Sequence, residues 1–306
     1  MEDKNFRGHA AMLGASVIFG LFSPVSKALL ETGAIDACGL TMARMAGAAV
    51  AFWVASLFFR KERVPARDLF LLFLASLLGI VLNQGAFVLG VSMTSPIDAT
   101  IVTTTAPIFA MVIAALYLRE PVTGRKVIGV AVGAAGALIL ILSGVHAAVP
   151  GSGSVKGDLL CLFAQLSFAT YFVVFKKLIG RYMPVTLMKW MFLYATLCCL
   201  PFGYGDLAGA RWAGFGWANG ARLAFVVLGA TFAAYLLLPV GQKNLRPTVG
   251  CMYNYVQPLV ASLVSVLAGM DRFTFGKGCA VVLVFLGVYI VTQSKSRAQM
   301  EAQRTK

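Results

Sequence analysis

TTTAPIFAMVIAALYLREPVTGRKVIGVAVGAAGALIL, residues Thr103–Leu140, returns in outline as YNYVQPLVASLVSVLAGMDRFTFGKGCAVVLVFLGVYIV, residues Tyr253–Val291. Sliding the chain by 151 residues, without a gap, sets Pro107 on Pro258, Ala110 on Ala261, Glu120 on Asp271, Thr123 on Thr274, Lys126 on Lys277, Val130 on Val281 and Gly136 on Gly287. Pro96 meets Pro247 at the same offset, and a shift of 149 pairs Gly8 with Gly157, Ala15 with Ala164 and Lys27 with Lys176 near the head of each half. Two unrelated apolar helices share a few such matches by chance. An acidic–Thr–Lys spacing with prolines at one constant offset marks an internal repeat.

Working outward, both stretches sit in a chain of 306 residues that is 59% hydrophobic and only 12% charged. Soluble domains carry about 25% charged residues. The formal charge is +14, from 26 Lys and Arg against 12 Asp and Glu. Taken without positions, that excess suggests nucleic acid, but a soluble protein of this size could not bury so much apolar surface. Disorder, a collagen-like fibre and a disulfide scaffold are excluded on composition. Cys38, Cys161, Cys198, Cys199, Cys251 and Cys279 lie in or near apolar runs and read as buried small hydrophobes.

Apolar runs long enough to cross a bilayer recur between short polar breaks, at approximately 10–30, 38–59, 69–92, 96–118, 124–143, 157–179, 184–204, 221–242, 248–269 and 275–293. The run after MEDKNFRGH is long and contains Pro24, so it reads as a retained span and not as a cleaved signal. Pro65, Pro121, Pro150, Pro184 and Pro247 stand at breaks, where a missing N–H is tolerated. The expected fold is an all-α integral membrane protein of ten transmembrane helices. Lys and Arg are retained on the cytoplasmic side. With both termini inside, 18 of the 26 basic residues are cytoplasmic, five are external and Lys27, Arg44 and Lys189 lie within span ends. Anionic lipid head groups at the cytoplasmic face are the expected partner of that charge, and nucleic acid is not.

Five spans per half is an odd number, so the second half enters the membrane in the opposite sense. Residues 1–150 form the first repeat, 151–293 the inverted second, and 294–306 a basic cytoplasmic tail. Inverted repeats are a construction of secondary transporters that bind substrate near the bilayer midplane.

The chain resembles the EamA family of the drug/metabolite transporter superfamily. The resemblance rests on GASVIFGLFSPVSK (Gly14–Lys27), on Arg44 early in the second span, and on the two stretches quoted at the start. It covers nearly the whole chain and implies ten helices in two inverted halves, with export of metabolites. Members often carry an aromatic residue, commonly Trp, early in the first span, where this sequence has Ile18-Phe19.

Pro107 and Pro258 occupy equivalent places inside spans 4 and 9. A proline inside a helix removes the bond to the carbonyl four residues earlier, here Thr103 and Asn254. An unpaired carbonyl in lipid needs a partner or an aqueous cavity. Unusually polar helix precedes both prolines: Thr103-Thr104-Thr105 and Tyr253-Asn254-Tyr255-Val256-Gln257. The pair reads either as the lining of a central site or as structural kinks with hydroxyls bonded back to their own helix. Pro239 likewise frees the Tyr235 carbonyl, and Pro24 frees that of Gly20. Asn83, Gln84, Gln165, Tyr171 and Tyr235 join Thr103, Tyr253, Asn254 and Gln257 as candidate substrate contacts, each equally readable as an interhelical hydrogen bond. Phe19, Phe22 and Tyr253 could supply stacking surface. Lys27, Arg44 and Lys189 read first as side chains snorkelling to the interface, and second as a gating pair or a contact for an anionic group. Gly129, Gly133 and Gly136, with Ala134 and Ala137, read as a close helix-packing face within the chain or across a homodimer, and Gly276, Gly278 and Gly287 similarly.

No Asp or Glu falls in the middle third of any span; Asp98 and Asp158 sit at outer ends, and His9 and His146 are peripheral. A dedicated midplane proton relay is therefore not expected. The sequence has no G-x-x-x-x-G-K-[ST] loop and no Ser/His, metal-ligand or paired-acid constellation, so neither nucleotide-driven transport nor an intramembrane enzyme is expected, and no cofactor or metal. The reading is a cell-membrane secondary transporter of small organic metabolites, amino acids or related amphipathic solutes, working outward by alternating access. A sugar-phosphate or nucleotide-sugar exchanger is the alternative within the superfamily, and a non-transport enzyme or scaffold the alternative outside it.

Overall fold

Long apolar runs leave the backbone no partner in lipid except itself, so each must close its hydrogen bonds as helix. A computed structural model describes residues 2–93, 102–143, 155–212, 215–267 and 275–294, and every regular element among them is helical. In chain order these are α1 (Glu2–Leu30), α2 (Ala37–Ala55) and α3, which runs Ala66–Ser76, passes through a π-helical turn at Leu77–Val81 and continues as Leu82–Met93. Next come α4 (Ala106–Tyr117), α5 (Gly124–Ser143), α6 (Val155–Val174), the short α7 (Lys176–Arg181) and α8 (Pro184–Ala208). α9 runs Gly216–Ala224, a π-helical stretch Phe225–Ala233, then Ala234–Asn244. α10 runs Pro247–Met252, a 3₁₀ turn Tyr253–Tyr255, then Val256–Leu267; α11 is Phe275–Thr292. Pro96, Asp98, His146, Pro150, Asp271, Thr274 and the basic tail after Ser294 lie outside the described residues.

Among the described residues six helices are long and apolar enough to cross a membrane: Asn5–Leu30, Ala37–Ala55, Ala66–Gly90, Val155–Val174, Pro184–Ala208 and Gly216–Asn244. Ala106–Tyr117 and Gly278–Thr292 are apolar but shorter. Large apolar side chains face outward along these helices, among them Phe202 at 83% and Leu116 at 78% exposed. Such a surface suits lipid and would be a liability in water.

Pro24, Pro107, Pro239 and Pro258 behave differently, and Pro201 is a further proline inside a helix, in α8. Pro107 stands in the first turn of α4, after a turn at Thr104-Thr105 that interrupts the helix, and Pro258 follows the 3₁₀ turn in α10. At Pro24 and Pro239 the helix continues on both sides of the proline, so the freed Gly20 and Tyr235 carbonyls do not end it. The pyrrolidine ring already holds a helical φ, and losing one backbone bond does not by itself end a helix whose neighbours continue it. Cys38, expected to be buried, is exposed in the first turn of α2, whereas Cys161 and Cys251 are buried.

The described chain folds into two compact units, and each draws on both halves of the sequence. Unit 1 comprises Met1–Gln84 with Phe175–Asn244, and unit 2 Gly85–Val174 with Leu245–Lys306. In unit 1, α2 packs along α8, and α1 lies against the last segment of α9. Its centre is aromatic: fully buried Phe52 stacks on Phe192 at 5.5 Å and leans on Phe232 at 4.6 Å. The Asp36 carboxylate caps α2, accepting from the Gly39 N–H at 2.6 Å. At the opposite end Asp68 is buried and accepts from Arg181 and from the Tyr182 hydroxyl, tying the start of α3 to the corner before α8. Burial and the Asp68 carboxylate both push the Tyr182 hydroxyl above its ordinary value, so it remains a donor.

Unit 2 is built on the crossing of α5 and α11, the most extensive helix contact in the molecule. The small-residue face expected of Gly129, Gly133 and Gly136 is where the two backbones meet, with Gly287 opposite. In the same unit α4 packs on α6 and on the start of α10.

Candidate functional site

Two features bring polar groups together in the middle of unit 1. The first is a pair of π-helical turns. Each widens the backbone ring by one residue, a distortion found mostly at functional sites. One ends at Val81, three residues before Gln84; the other ends at Ala233, two before Tyr235. The second feature is the repeat itself. Gln84 and Tyr235 are 151 residues apart, the offset read from the sequence, and they touch: the Gln84 amide nitrogen donates to the Tyr235 hydroxyl at 3.0 Å. The bond joins residues that hold the same place in the two copies of the repeat.

Arg44 completes the cluster. α2 starts at Ala37, so Arg44 lies about 10 Å along the helix at 1.5 Å per residue. Snorkelling was the first expectation for this side chain, and the structure overturns it. Arg44 is 4% exposed and turns inward, where Nε donates to Thr231 Oγ1 at 3.1 Å and a terminal nitrogen approaches Gln84 Oε1 at 3.5 Å. Its guanidinium carbon lies 4.2 Å from the centre of the Phe22 ring, a cation–π contact. The physical reason is that polar acceptors and an aromatic face are already within reach inside the unit, so the chain need not extend to water. Thr231 is held for this task, since its own hydroxyl proton goes to the Val226 carbonyl at 2.8 Å, within the π-helical stretch. Around the polar groups stand rings: Phe19 meets Tyr235 edge-on at 5.5 Å, and Phe192 does so at 5.0 Å.

Lys189 does not join the cluster. Its ammonium lies 4.9 Å from the Trp53 ring and 5.8 Å from Trp190, in a row of aromatics continued by Tyr194 and Phe73. An amphipathic belt of this kind suits the membrane interface. Lys27 lies within α1 and Asn83 beside Gln84 in α3, half-buried.

The remaining candidates fall in unit 2. The Tyr255 hydroxyl donates to the Thr104 carbonyl at 3.0 Å, again across 151 residues, so this unit too has repeat-equivalent residues in contact. The carbonyl that Tyr255 serves is that of Thr104, where the chain turns at Thr104-Thr105 one residue beyond Thr103. The Thr105 hydroxyl bonds back to the Val102 carbonyl at 2.6 Å, which is the structural-kink alternative realised at that residue. Asn254 and Gln257 pair with each other, Gln257 Nε2 donating to Asn254 Oδ1 at 3.3 Å, and both are half-buried. Gln165, Tyr171 and Tyr253 are buried, and Thr103 is half-buried. Sequence reasoning missed Thr231, Phe192 and Tyr255; for Tyr255 the signal was present, since its repeat equivalent is Thr104, already singled out as part of a polar run.

A helical membrane protein with buried polar clusters at repeat-equivalent places finds its match in known proteins. The EamA-like transporter family is matched over residues 6–142 and again over 155–293. The chain belongs to the EamA-like transporter family. This EamA-like protein is 24% identical to an uncharacterized transporter of Archaeoglobus fulgidus, over 76% of this chain and 81% of that one. It is 27% identical to a WAT1-related protein of Arabidopsis thaliana, over 73% and 62%. A probable terminal-alkyne amino-acid exporter of Streptantibioticus cattleyicolor is 28% identical over 163 residues, 53% of each chain. A crystal structure at 16% identity superposes with a TM-score of 0.75 over 100% of this chain and 99% of its own, a likeness of fold. The protein is therefore a multi-pass membrane transporter of the drug/metabolite superfamily, and its apolar helices are its membrane spans.

Proposed function

We propose that this EamA-like transporter exports small organic metabolites, amino acids or related amphipathic solutes, by alternating access. In this reading ten helices form two inverted five-helix repeats, residues 1–150 and 151–293, with both termini and the basic tail in the cytoplasm. Support for the repeat comes from the two family matches and from Gln84–Tyr235 and Thr104–Tyr255, equivalent pairs that meet within their own units. Export of amino-acid-like solutes is the activity named for the Streptantibioticus cattleyicolor relative, and the resemblance to metabolite exporters points the same way.

The observation that carries the reading is the buried cluster of Arg44, Gln84, Thr231 and Tyr235 among phenylalanine rings. Polar side chains inside a membrane domain are expensive and are retained for function. Asn83 of unit 1 is a further candidate contact beside this cluster, and Thr103, Gln165, Tyr171, Tyr253, Asn254 and Gln257 are candidate substrate contacts within unit 2, taken by itself. With no acidic residue at midplane depth, the solute's own gradient suffices as driving force. The superfamily's alternative, an exchanger of phosphorylated sugars, would need more positive charge than the single buried Arg44 supplies in this cluster.

Flux into proteoliposomes made from the purified chain tests this, since neither an enzyme nor a scaffold moves solute. A substrate found by thermal-stability screening should be taken up by the wild type. Tyr235→Phe leaves the Gln84 amide without its acceptor and should lower flux about tenfold, from roughly 1–3 kcal/mol of lost pairing. Gln84→Ala, Asn254→Ala and Gln257→Ala should also lower it while membrane insertion is retained. Wild-type flux in all four variants would overturn the site.

A further inference from the structure

We propose that Arg44 is a seat for the carboxylate of the transported solute, so that the substrates are small carboxylic acids with an apolar body. The proposal rests on the transport reading above and names the chemistry of its site. A guanidinium is charged at every relevant pH, and Arg44 is 4% exposed in a membrane domain. Among the described residues no carboxylate lies within ion-pair distance of it; the ion pairs found there are Lys126–Glu120 and Arg181–Asp68. A buried charge without a counterion is among the costliest arrangements a fold can hold. The partners Arg44 does have are neutral: one hydroxyl, one amide oxygen at the long limit of a hydrogen bond, and a ring face.

The orientations of those partners are fixed by their other bonds. The Thr231 proton is committed to the Val226 carbonyl, so its oxygen can only accept from Arg44 Nε. The Gln84 NH₂ is committed to Tyr235, which turns Oε1 toward Arg44. The Tyr235 oxygen accepts that bond, leaving its O–H without an acceptor among the described residues. Beyond these bonds the cluster's remaining capacity is in donors: the terminal nitrogens of Arg44 and the Tyr235 O–H. It offers no negative charge. That inventory recognises an anion. The walls around it, Phe19, Phe22 and Phe192, are apolar and suit an aliphatic or aromatic body. One cation balances a monoanion; a phosphate monoester, at about −2 near neutral pH, would remain half neutralised among rings.

The test uses the full chain, purified in detergent, and five probes sharing one apolar body: isocaproate, isocaproamide, L-leucine, L-leucinamide and isoamyl phosphate. Dissociation constants are read by calorimetry. Isocaproate, L-leucine or both should bind at least about tenfold tighter than the matching amide, a factor equivalent to 1.4 kcal/mol. Arg44→Gln should erase that ratio and Arg44→Lys should restore part of it. Should Arg44→Gln fail to fold, Tyr235→Phe serves, reducing the ratio severalfold by removing one O–H. Equal binding of carboxylate and amide, tightest binding of the phosphate, an unchanged ratio in Arg44→Gln, or no binding by any probe would each overturn the proposal. Carboxylate preference without flux in proteoliposomes would sink the transport reading and leave the seat standing; flux of neutral solutes with no carboxylate preference would do the reverse.

Discussion

Gly287→Val should yield almost no folded protein. A Cβ at Gly287 would lie 2.6 Å from the Gly133 nitrogen and 2.7 Å from the Gly129 carbonyl oxygen, both backbone atoms of α5. Overpacking costs about 1–3 kcal/mol where neighbouring side chains can give way. Here nothing can give except the helix, and the α5–α11 crossing forms the centre of unit 2. The contact is reciprocal, because a Cβ at Gly129 would come 2.9 Å from the Gly287 carbonyl oxygen and one at Gly136 would come 2.9 Å from that of Ala280. Even Gly287→Ala should lower the apparent stability by about 2–4 kcal/mol, above the ordinary range for side-chain overpacking. Gly124→Ala is the matched control on α5, since a Cβ there meets nothing within 4 Å. Size-exclusion profiles of fluorescently tagged variants read the outcome. A wild-type peak for Gly287→Val would show that the two helices can part.

Much of this was legible in the sequence, for a physical reason. Hydropathy reports which segments must close their own hydrogen bonds, and small residues at helical spacing report where backbones approach; both are local properties of side chains. Gln84 and Tyr235 were visible as polar residues in apolar runs. What hydropathy does not encode is the choice of backbone register. LLGIV at Leu77–Val81 and FVVLGATFA at Phe225–Ala233 read as ordinary apolar helix, yet both adopt the π form that precedes the cluster. Arg44 was misread because position along a helix does not reveal what lies across from it; its acceptor Thr231 is 187 residues away in sequence. The prolines divide by the same logic. Before Pro107 the Thr105 and Tyr255 hydroxyls add side-chain bonds to the Val102 and Thr104 carbonyls, which stabilises the break. Pro24 follows the run IFGLFS, which has one hydroxyl and otherwise no hydrogen-bonding side chain to stabilise a break, and the helix continues.

Removing the acid of the Glu120–Lys126 pair should be far more damaging than removing the base. The Lys126 ammonium is 2.7 Å from the Glu120 carboxylate, and its side chain is 2% exposed against 15% for Glu120. Arg119 adopts a left-handed backbone at φ 52°, and the Glu120 N–H bonds back to the Ala114 carbonyl at 3.1 Å, which folds the connection so that the carboxylate faces α5. A second cation depends on the same acid. Burial pushes the Arg246 guanidinium below its ordinary value, and the Glu120 carboxylate pulls it back up. Glu120→Gln therefore leaves a buried ammonium unpaired and Arg246 less compensated. The expected loss is about 3–5 kcal/mol, the range for breaking a buried pair from one side. Lys126→Met removes the charge that needs a partner and fills similar volume. It leaves Glu120 at the better-hydrated end and beside Arg246, so the loss should stay below about 1.5 kcal/mol, as for a volume-conserving swap. The double variant should then recover most of what Glu120→Gln loses, which two independent sites would not do. Thermal unfolding of the three variants in one detergent decides it: equal losses for the two single changes would mean that the carboxylate, and not the buried ammonium, is the group this corner is built to satisfy.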